Sequence, residues 1–280
     1  MIEEDAILTA LDERVMTITL NRPHKLNAYA AEMRPRLIEE VRRADESDDV
    51  GCIVIKGAGR AFCTGSDLSA DVKPGHEHYE NAYTTSIKND IRSLQKGEGS
   101  GSAVFFGSQT PIIAQVHGWC LAGGLELAMK CDFIVCSDDA KFGYPIVRNM
   151  ASPPSHMFTY LMGTQWTRYL LYTGDHIDGP TAARTGLALQ CVPYEELDDT
   201  VRRLAHRIAT VPPELLAIHK GICEKALDAM GRPLLQDLAI EANAMAHKTT
   251  VMRDFYEIGA REGYKAALDF INRPYTNNPS

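Results

Sequence analysis

At 280 residues, with 45% hydrophobic and 24% charged residues, the chain can bury a sizeable core, as one domain or two. Twenty-nine Lys and Arg against 37 Asp and Glu leave a formal charge of −8, a balance that favours neither nucleic acid nor an anionic membrane as a partner. Seven scattered cysteines, an acidic start (Met1-Ile2-Glu3-Glu4-Asp5) and no apolar run near the roughly 20 residues of a membrane helix point to a reduced, cytoplasmic protein.

In chain order, Ile7–Leu11 and Val15–Leu20 read as a hairpin, because Met16, Ile18 and Leu20 alternate with Thr17 and Thr19. Asn21–Asn27 follows as a loop, with Asn27 placed to cap the next helix. Leu37, Ile38 and Val41 form that helix's apolar stripe, and Pro35 predicts a late start or a kink. Cys52–Ile55 is a short buried strand running into the glycine-rich turn Gly59–Leu68. Gly57-Ala58-Gly59 opens like a dinucleotide fingerprint, but Phe62 stands where the third glycine belongs. Gly65 is followed by Ser66 and Asp67, not the Lys-Ser/Thr of a P-loop. Thr64 before Gly65 also breaks the frame of a nucleophile elbow at Ser66. A backbone amide at Ser66 facing a ligand is what remains.

Asp71–Gly107, with Gly97, Gly99 and Gly101, reads as irregular. His76-Glu77-His78 lacks a third ligand and reads as a solvated loop, so no metal site is expected. Ile112–Val116 is a buried strand leading into Gly118–Asp132. There the paired glycines Gly123 and Gly124 precede a helical pattern with Glu126 in its first turn. Helix-start amides have no intrahelical partner, the helix dipole adds positive potential, and a glycine admits a ligand oxygen close to the backbone. A carboxylate three residues on makes a plausible catalytic unit. Asp132–Val135 and Ala140–Phe142 are short strands. From Pro180 the chain reads as helical, with helices over Thr181–Thr185, Tyr194–Thr210, Pro213–Met230 and Pro233–Gly259. Strands alternating with helices predict an α/β fold with mainly parallel pairing. Residues 1–200 form the core and residues 201–280 a helical extension.

Five ordered motifs carry a resemblance that covers Ile7 to Gly263. They are Asn21-Arg22-Pro23-His24-Lys25-Leu26-Asn27-Ala28, Ala61–Leu68, Gly118–Asp132, Lys141-Phe142-Gly143-Tyr144-Pro145 and Thr173-Gly174-Asp175-His176-Ile177. The sequence resembles the crotonase superfamily, also called the enoyl-CoA hydratase/isomerase family. The resemblance implies a spiral of ββα units with C-terminal helices that pack on neighbouring subunits, as a homotrimer or a dimer of trimers. It implies an acyl-CoA substrate, with coenzyme A as part of that substrate and no separate cofactor. It gives the amides of Ser66 and Gly123 to a thioester oxyanion and an acid/base role to Glu126. Substrate or coenzyme A contacts fall on His24, Lys25, Ala28, Cys63, Gly65, Asp67, Leu68, Gly124, Tyr144, Ile146 and His156, and the 71–107 segment shapes the acyl pocket.

The chain departs from the family where hydration needs a second glutamate. Ile146 follows the proline of Phe142-Gly143-Tyr144-Pro145, and an alkyl side chain transfers no proton. Tyr144, Arg148, Asn149 and His156 are nearby polar substitutes, and of these only His156 titrates near neutral pH. Ser152-Pro153-Pro154-Ser155 replaces a glycine-rich turn, and Arg273 stands near where the family supplies a lysine to the coenzyme A phosphate. The sequence therefore reads as a hydratase/isomerase-type lyase. The alternatives are a decarboxylase or carbon–carbon hydrolase of the same superfamily, and a catalytically impaired acyl-CoA-binding homologue.

Overall fold

The computed structural model describes residues 6–30, 32–68, 86–96, 100–148 and 151–276. Strands β1 (Ile7–Asp12) and β2 (Val15–Leu20) form the hairpin, with Ile7 opposite Leu20 and Asp12 opposite Val15. Glu13 and Arg14 turn it at φ 40° and 68°, the positive pair that matches the twist of the flanking strands. β2 continues in parallel to β3 (Cys52–Gly57), then β5 (Ile112–Val116), β7 (Phe133–Ser137) and β10 (Gln190–Val192). A second sheet runs β4 (Ala61–Cys63), β6 (Trp119–Leu121), β8 (Lys141–Gly143) and β9 (His176–Asp178), the last antiparallel. The long strands β3, β5 and β7 are each followed by a short strand of the second sheet. That repeat is the spiral of ββα turns.

The helices are α1 (Met33–Asp45), α2 (Ile87–Leu94), α3 (Ser100–Gly107), α4 (Gly123–Met129), α5 (Phe158–Thr173), α6 (Gly179–Thr185), α7 (Tyr194–Ala209), α8 (Pro213–Ala229), α9 (Arg232–Ala246), α10 (Thr250–Glu262) and α11 (Tyr264–Thr276). Alternate residues of the main sheet divide the core. Ile53, Ile55, Ile112 and Ala114 join Leu37 and Val41 of α1 in one cluster, while Cys52, Val54, Ile113 and Val135 meet Leu197, Val201 and Ala205 of α7. Burial on both faces explains why β3 and β5 read as unbroken apolar runs. α8 is pinned to this core by Lys220, whose ammonium lies 2.7 Å from Asp132 and 3.1 Å from the Thr110 carbonyl. A third cluster, Met252, Phe255, Tyr256 and Ala267, packs α10 and α11 against Leu68, Ile146 and Ala151.

Three expectations are corrected. Asn27 caps nothing: α1 begins at Met33, and Asn27 is fully buried at φ 56°. Its Oδ1 accepts the Arg22 amide (2.8 Å), and its Nδ2 donates to the carbonyls of Ala58 (2.8 Å) and Ala61 (2.7 Å), bracing the loop onto β4. Pro35 then sits in the first turn of α1, where a missing N–H costs no helical bond. The irregular reading of 71–107 fails over its described part, which holds α2 and α3; residues 71–85 and 97–99, with His76-Glu77-His78, lie outside the described residues. The single helix expected over Pro233–Gly259 is two, because Thr249 adopts extended backbone and its Oγ1 accepts the Met252 amide (3.4 Å) to start α10. No helix among the described residues is long and apolar enough to cross a membrane.

Candidate active site

The site begins where β4 and α4 meet. Ala122 turns the chain at φ 49°, and its amide donates to the Gly143 carbonyl (3.0 Å), fixing the start of α4 against β8. A Cβ at Gly124 would stand 2.2 Å from the Cys63 carbonyl oxygen, and one at Gly65 (φ 88°) would stand 2.9 Å from the Gly123 nitrogen. Only glycine at both positions lets the two backbone segments touch. Tyr29 bridges Ser66 as a parallel strand would: its amide donates to the Gly65 carbonyl (2.7 Å), and its carbonyl accepts from Asp67 (3.1 Å). In that pattern the Ser66 amide points away from Tyr29. The Gly123 amide is the first of α4 and has no intrahelical acceptor. Ser66 and Gly123 both line one cavity of about 290 Å³.

Glu126 lines the same cavity from the first turn of α4 and is 3% exposed. Its Oε2 accepts the Ser155 amide (3.0 Å) and the Ser155 hydroxyl. Its Oε1 has no hydrogen-bond partner among the described residues. Burial pushes the carboxyl above its ordinary value, against the opposing pull of Lys130, the two Ser155 donors and Arg34. The carboxylate is thus held by one oxygen, and the other is available for proton transfer. Ser155 is itself held, since its carbonyl accepts from Gln236 of α9 (3.2 Å), while Asn243 of the same helix accepts the Ser152 amide (3.0 Å).

Of the residues singled out in the sequence, Ser66, Leu68, Gly123, Glu126, Tyr144 and Ile146 line the cavity, with Gly65 and Gly124 packed behind them. Tyr144 stacks edge-on to Phe158 at 5.6 Å, and burial with the Glu126 charge raises its hydroxyl well above the usual value. Cys63 is corrected from a substrate contact to a scaffold: it is fully buried, its Sγ–H donates to the Asn27 carbonyl (3.1 Å), and burial pushes the thiol up to about 11. His156 is corrected too. Its left-handed backbone (φ 48°) sets the ring 6.4 Å from Phe158 and outside the cavity wall, and the neighbouring Ser155 makes the contact with Glu126. Arg148 braces the fold through Asp175 (2.7 Å) and the Thr173 carbonyl (2.9 Å), and Asn149 lies outside the described residues.

His24, Lys25 and Ala28, on the loop after β2, and Asp67, just beyond β4, lie outside the cavity wall. His24 and Lys25 are exposed, Asp67 pairs with Arg22 (3.3 Å) and Lys25 (4.0 Å), and the Ala28 carbonyl accepts from Arg22 (2.6 Å). Arg273 is exposed in the last turn of α11, also outside the wall. Sequence reasoning missed Arg34, whose guanidinium sits 5.0 Å over the Tyr29 ring and lines the cavity, and missed Asn243 and His247. Ser155 carried one signal, a side chain where the resembling turn is glycine-rich. No group of three or more His, Cys, Asp or Glu with metal-holding geometry occurs among the described residues.

The chain matches the enoyl-CoA hydratase/isomerase family over residues 11–266. It belongs to that family. A probable enoyl-CoA hydratase, echA8, of Mycobacterium leprae is 31% identical over 272 residues, 96% of this chain and 99% of that protein. The 1,2-epoxyphenylacetyl-CoA isomerase of Escherichia coli is 27% identical across 94% of this chain and 95% of its own length. The crystal structure of an enoyl-CoA hydratase from Mycobacterium smegmatis superposes with a TM-score of 0.88 at 31% identity, covering 96% of this chain and 94% of that one.

Proposed function

We propose that this protein acts on acyl-CoA thioesters as a hydratase/isomerase-type lyase, with coenzyme A entering only as part of the substrate. The observation that carries this reading is the arrangement at Glu126. A buried carboxylate with one anchored and one unpartnered oxygen faces the cavity that the Ser66 and Gly123 residues also line. In hydration, Glu126 Oε1 takes a proton from water as the water oxygen bonds to Cβ. The alkene electron pair moves to the thioester oxygen, where the two amides receive the charge, and a proton then adds at Cα. One such amide is worth about 2.7–4 kcal/mol in the transition state.

The test is hydration of crotonyl-CoA by wild type and Glu126→Gln. The variant is expected to lose roughly 10²–10⁴-fold in kcat with crotonyl-CoA binding retained. Full turnover in Glu126→Gln sinks the role. Ile146 favours a second reading in which only one carboxylate is needed, as in decarboxylation of a malonyl-type thioester or cleavage of a β-diketone thioester. Turnover of those substrates with none of crotonyl-CoA selects it, and binding without turnover of any thioester selects an impaired homologue.

The oligomeric reading is part of the same proposal. Leu215, Ile218 and Ile222 of α8 and Leu234, Leu238 and Met245 of α9 are exposed apolar side chains, a surface suited to a second copy of the chain. Sedimentation equilibrium is expected to give a mass that is a multiple of three chains; a monomer sinks this reading.

A further inference from the structure

The buried face of α9 carries Ala239, Ile240, Asn243 and Ala244. Asn243 stands out there, because asparagine is a poor helix former and its neighbours on that face are apolar. It is 5% exposed and lines the cavity. Its Oδ1 accepts the Ser152 amide (3.0 Å), which identifies the oxygen of the side-chain amide and turns Nδ2 the other way. Nδ2 has no hydrogen-bond partner among the described residues, and it keeps open surface where Asn243 meets the cavity. Holding Ser152 needs only an acceptor, so the N–H donors are left over. Tyr144 repeats the pattern on the same wall. It is 2% exposed, its ring packs edge-on to Phe158, and its hydroxyl bonds to no described residue. A plain phenyl ring would pack on Phe158 equally well. Buried polar groups are nearly always hydrogen-bonded, and in a ligand cavity the exceptions are the groups that fix a ligand's orientation. Leu68, Ile146 and Met252 offer the same cavity apolar surface for carbon. An unsubstituted alkyl or alkenyl group held against them would exclude water from Nδ2 and give it no partner.

We propose that Asn243 Nδ2 is a specificity-determining donor for an oxygen carried by the acyl group, so that the cavity selects keto- or hydroxyacyl thioesters over unsubstituted ones. The proposal rests on the acyl-CoA reading above. Nδ2 donates, and the keto or hydroxyl oxygen accepts. The Tyr144 hydroxyl, able to donate or accept, is a second polar group of the same wall for such a ligand. The two ends of the Asn243 amide then have separate duties. Oδ1 holds the Ser152 end of the turn whose Ser155 end holds Glu126, and that duty touches every ligand alike. Nδ2 discriminates among ligands, because a site built to hydrogen-bond an oxygen rejects the analogue that lacks it.

The test measures the calorimetric Kd of butyryl-CoA, acetoacetyl-CoA and 4-hydroxybutyryl-CoA for the full-length protein. Wild type is expected to bind at least one of the two oxygenated thioesters about tenfold or more tighter than butyryl-CoA. Asn243→Asp keeps an oxygen for the Ser152 amide and replaces the donor with an acceptor. It is expected to bring that preference within about threefold while leaving the butyryl-CoA Kd within about threefold of wild type. Asn243→Leu loses both contacts, so it is expected to weaken all three ligands and to abolish the preference as well. The preference is a ratio within each variant, so a general loss from a loosened turn cancels. A wild type that binds butyryl-CoA and prefers neither oxygenated thioester by more than about threefold overturns the proposal alone. So does a wild-type preference that survives in Asn243→Asp, which leaves Asn243 as a pin for Ser152 only. If Asn243→Asp does not fold, a preference that survives in Asn243→Leu overturns it instead. A wild type that binds none of the three removes the acyl-CoA reading itself, and this proposal with it.

Discussion

The cavity has two walls built in opposite ways. The corner of β4 and α4 is backbone against backbone, with Gly65 and Gly124 packed so closely that a single methyl group would collide. The roof from α9 and α10 is side chain against side chain, with Asn243 and His247 at the end of α9, Tyr256 of α10, and Asp90 of α2 behind His247. A backbone wall fixes the position of its amides and leaves little to vary. A side-chain wall is set by the chemistry of a few side chains, and one substitution changes it. Conserving the corner while changing the roof is a route to new chemistry on one fold.

The sharpest way to break the corner is Gly124→Ala. The added Cβ meets the Cys63 carbonyl at 2.2 Å, so β4 and α4 must part, and the Gly123 amide moves with them. Activity is expected to fall by at least roughly 10²-fold, the worth of one oxyanion donor, and the melting temperature to fall as well. Wild-type kinetics in this variant would refute the close packing. The joint between the walls is next. Ile146 packs against both the main core and the α10–α11 cluster, so Ile146→Glu is expected to cost about 1–3 kcal/mol in urea unfolding, without gaining hydratase activity. A faster enzyme would mean that the position tolerates a carboxylate.

Ser155→Ala tests the hold on Glu126. The carboxylate is the active form of a base, and burial raises its pKa, so activity falls as pH drops through a value above the usual carboxylate range. The Ser155 hydroxyl stabilises the charged form, so its removal raises that pKa further and moves the acid limb of kcat/KM to higher pH. A loss of about tenfold at neutral pH is expected to accompany the shift. An unmoved limb rules out the contact. The smallest effect concerns Lys130, buried one turn after Glu126, whose pKa burial lowers to about 8. The folded protein holds this proton less tightly than the unfolded chain does, so stability contributed at Lys130 rises between pH 8 and the ordinary lysine range. Urea midpoints are expected to show that rise in wild type and to lack it in Lys130→Met.

The same contrast explains what the sequence revealed. Ser66, Gly123 and Glu126 lie in two short stretches, each a strand, a glycine turn and the chain just beyond, so local chain geometry places them and a reader finds them by spacing. The sheet was equally legible: β3, β5 and β7, buried on both faces, are largely apolar runs, and β2 shows the alternation of a half-buried strand. His247 and Asp90 are 157 positions apart, on helices whose patterns are ordinary amphipathic ones. Their meeting is a property of tertiary packing, and nothing local announces it. Asn27 misled for a related reason: an Asn ahead of a helix resembles a cap, yet its backbone stands at positive φ and its side chain turns inward to brace Arg22, Ala58 and Ala61. His156 misled because its backbone conformation, which composition does not reveal, decides where the ring goes.

The apolar contact of Leu68, Ile146 and Ala151 with Met252, Phe255 and Tyr256 also sets a timetable. A chain emerging from its N-terminus can complete the glycine corner once Gly143 is present to accept the Ala122 amide. The cavity acquires its roof only when α10 follows, more than a hundred residues later. Such distant contacts form slowly, and until they do the apolar joint faces water and invites association with other chains. A chain interrupted before α10 would carry the glycine corner open to solvent. The cavity therefore closes only once α10 has been made.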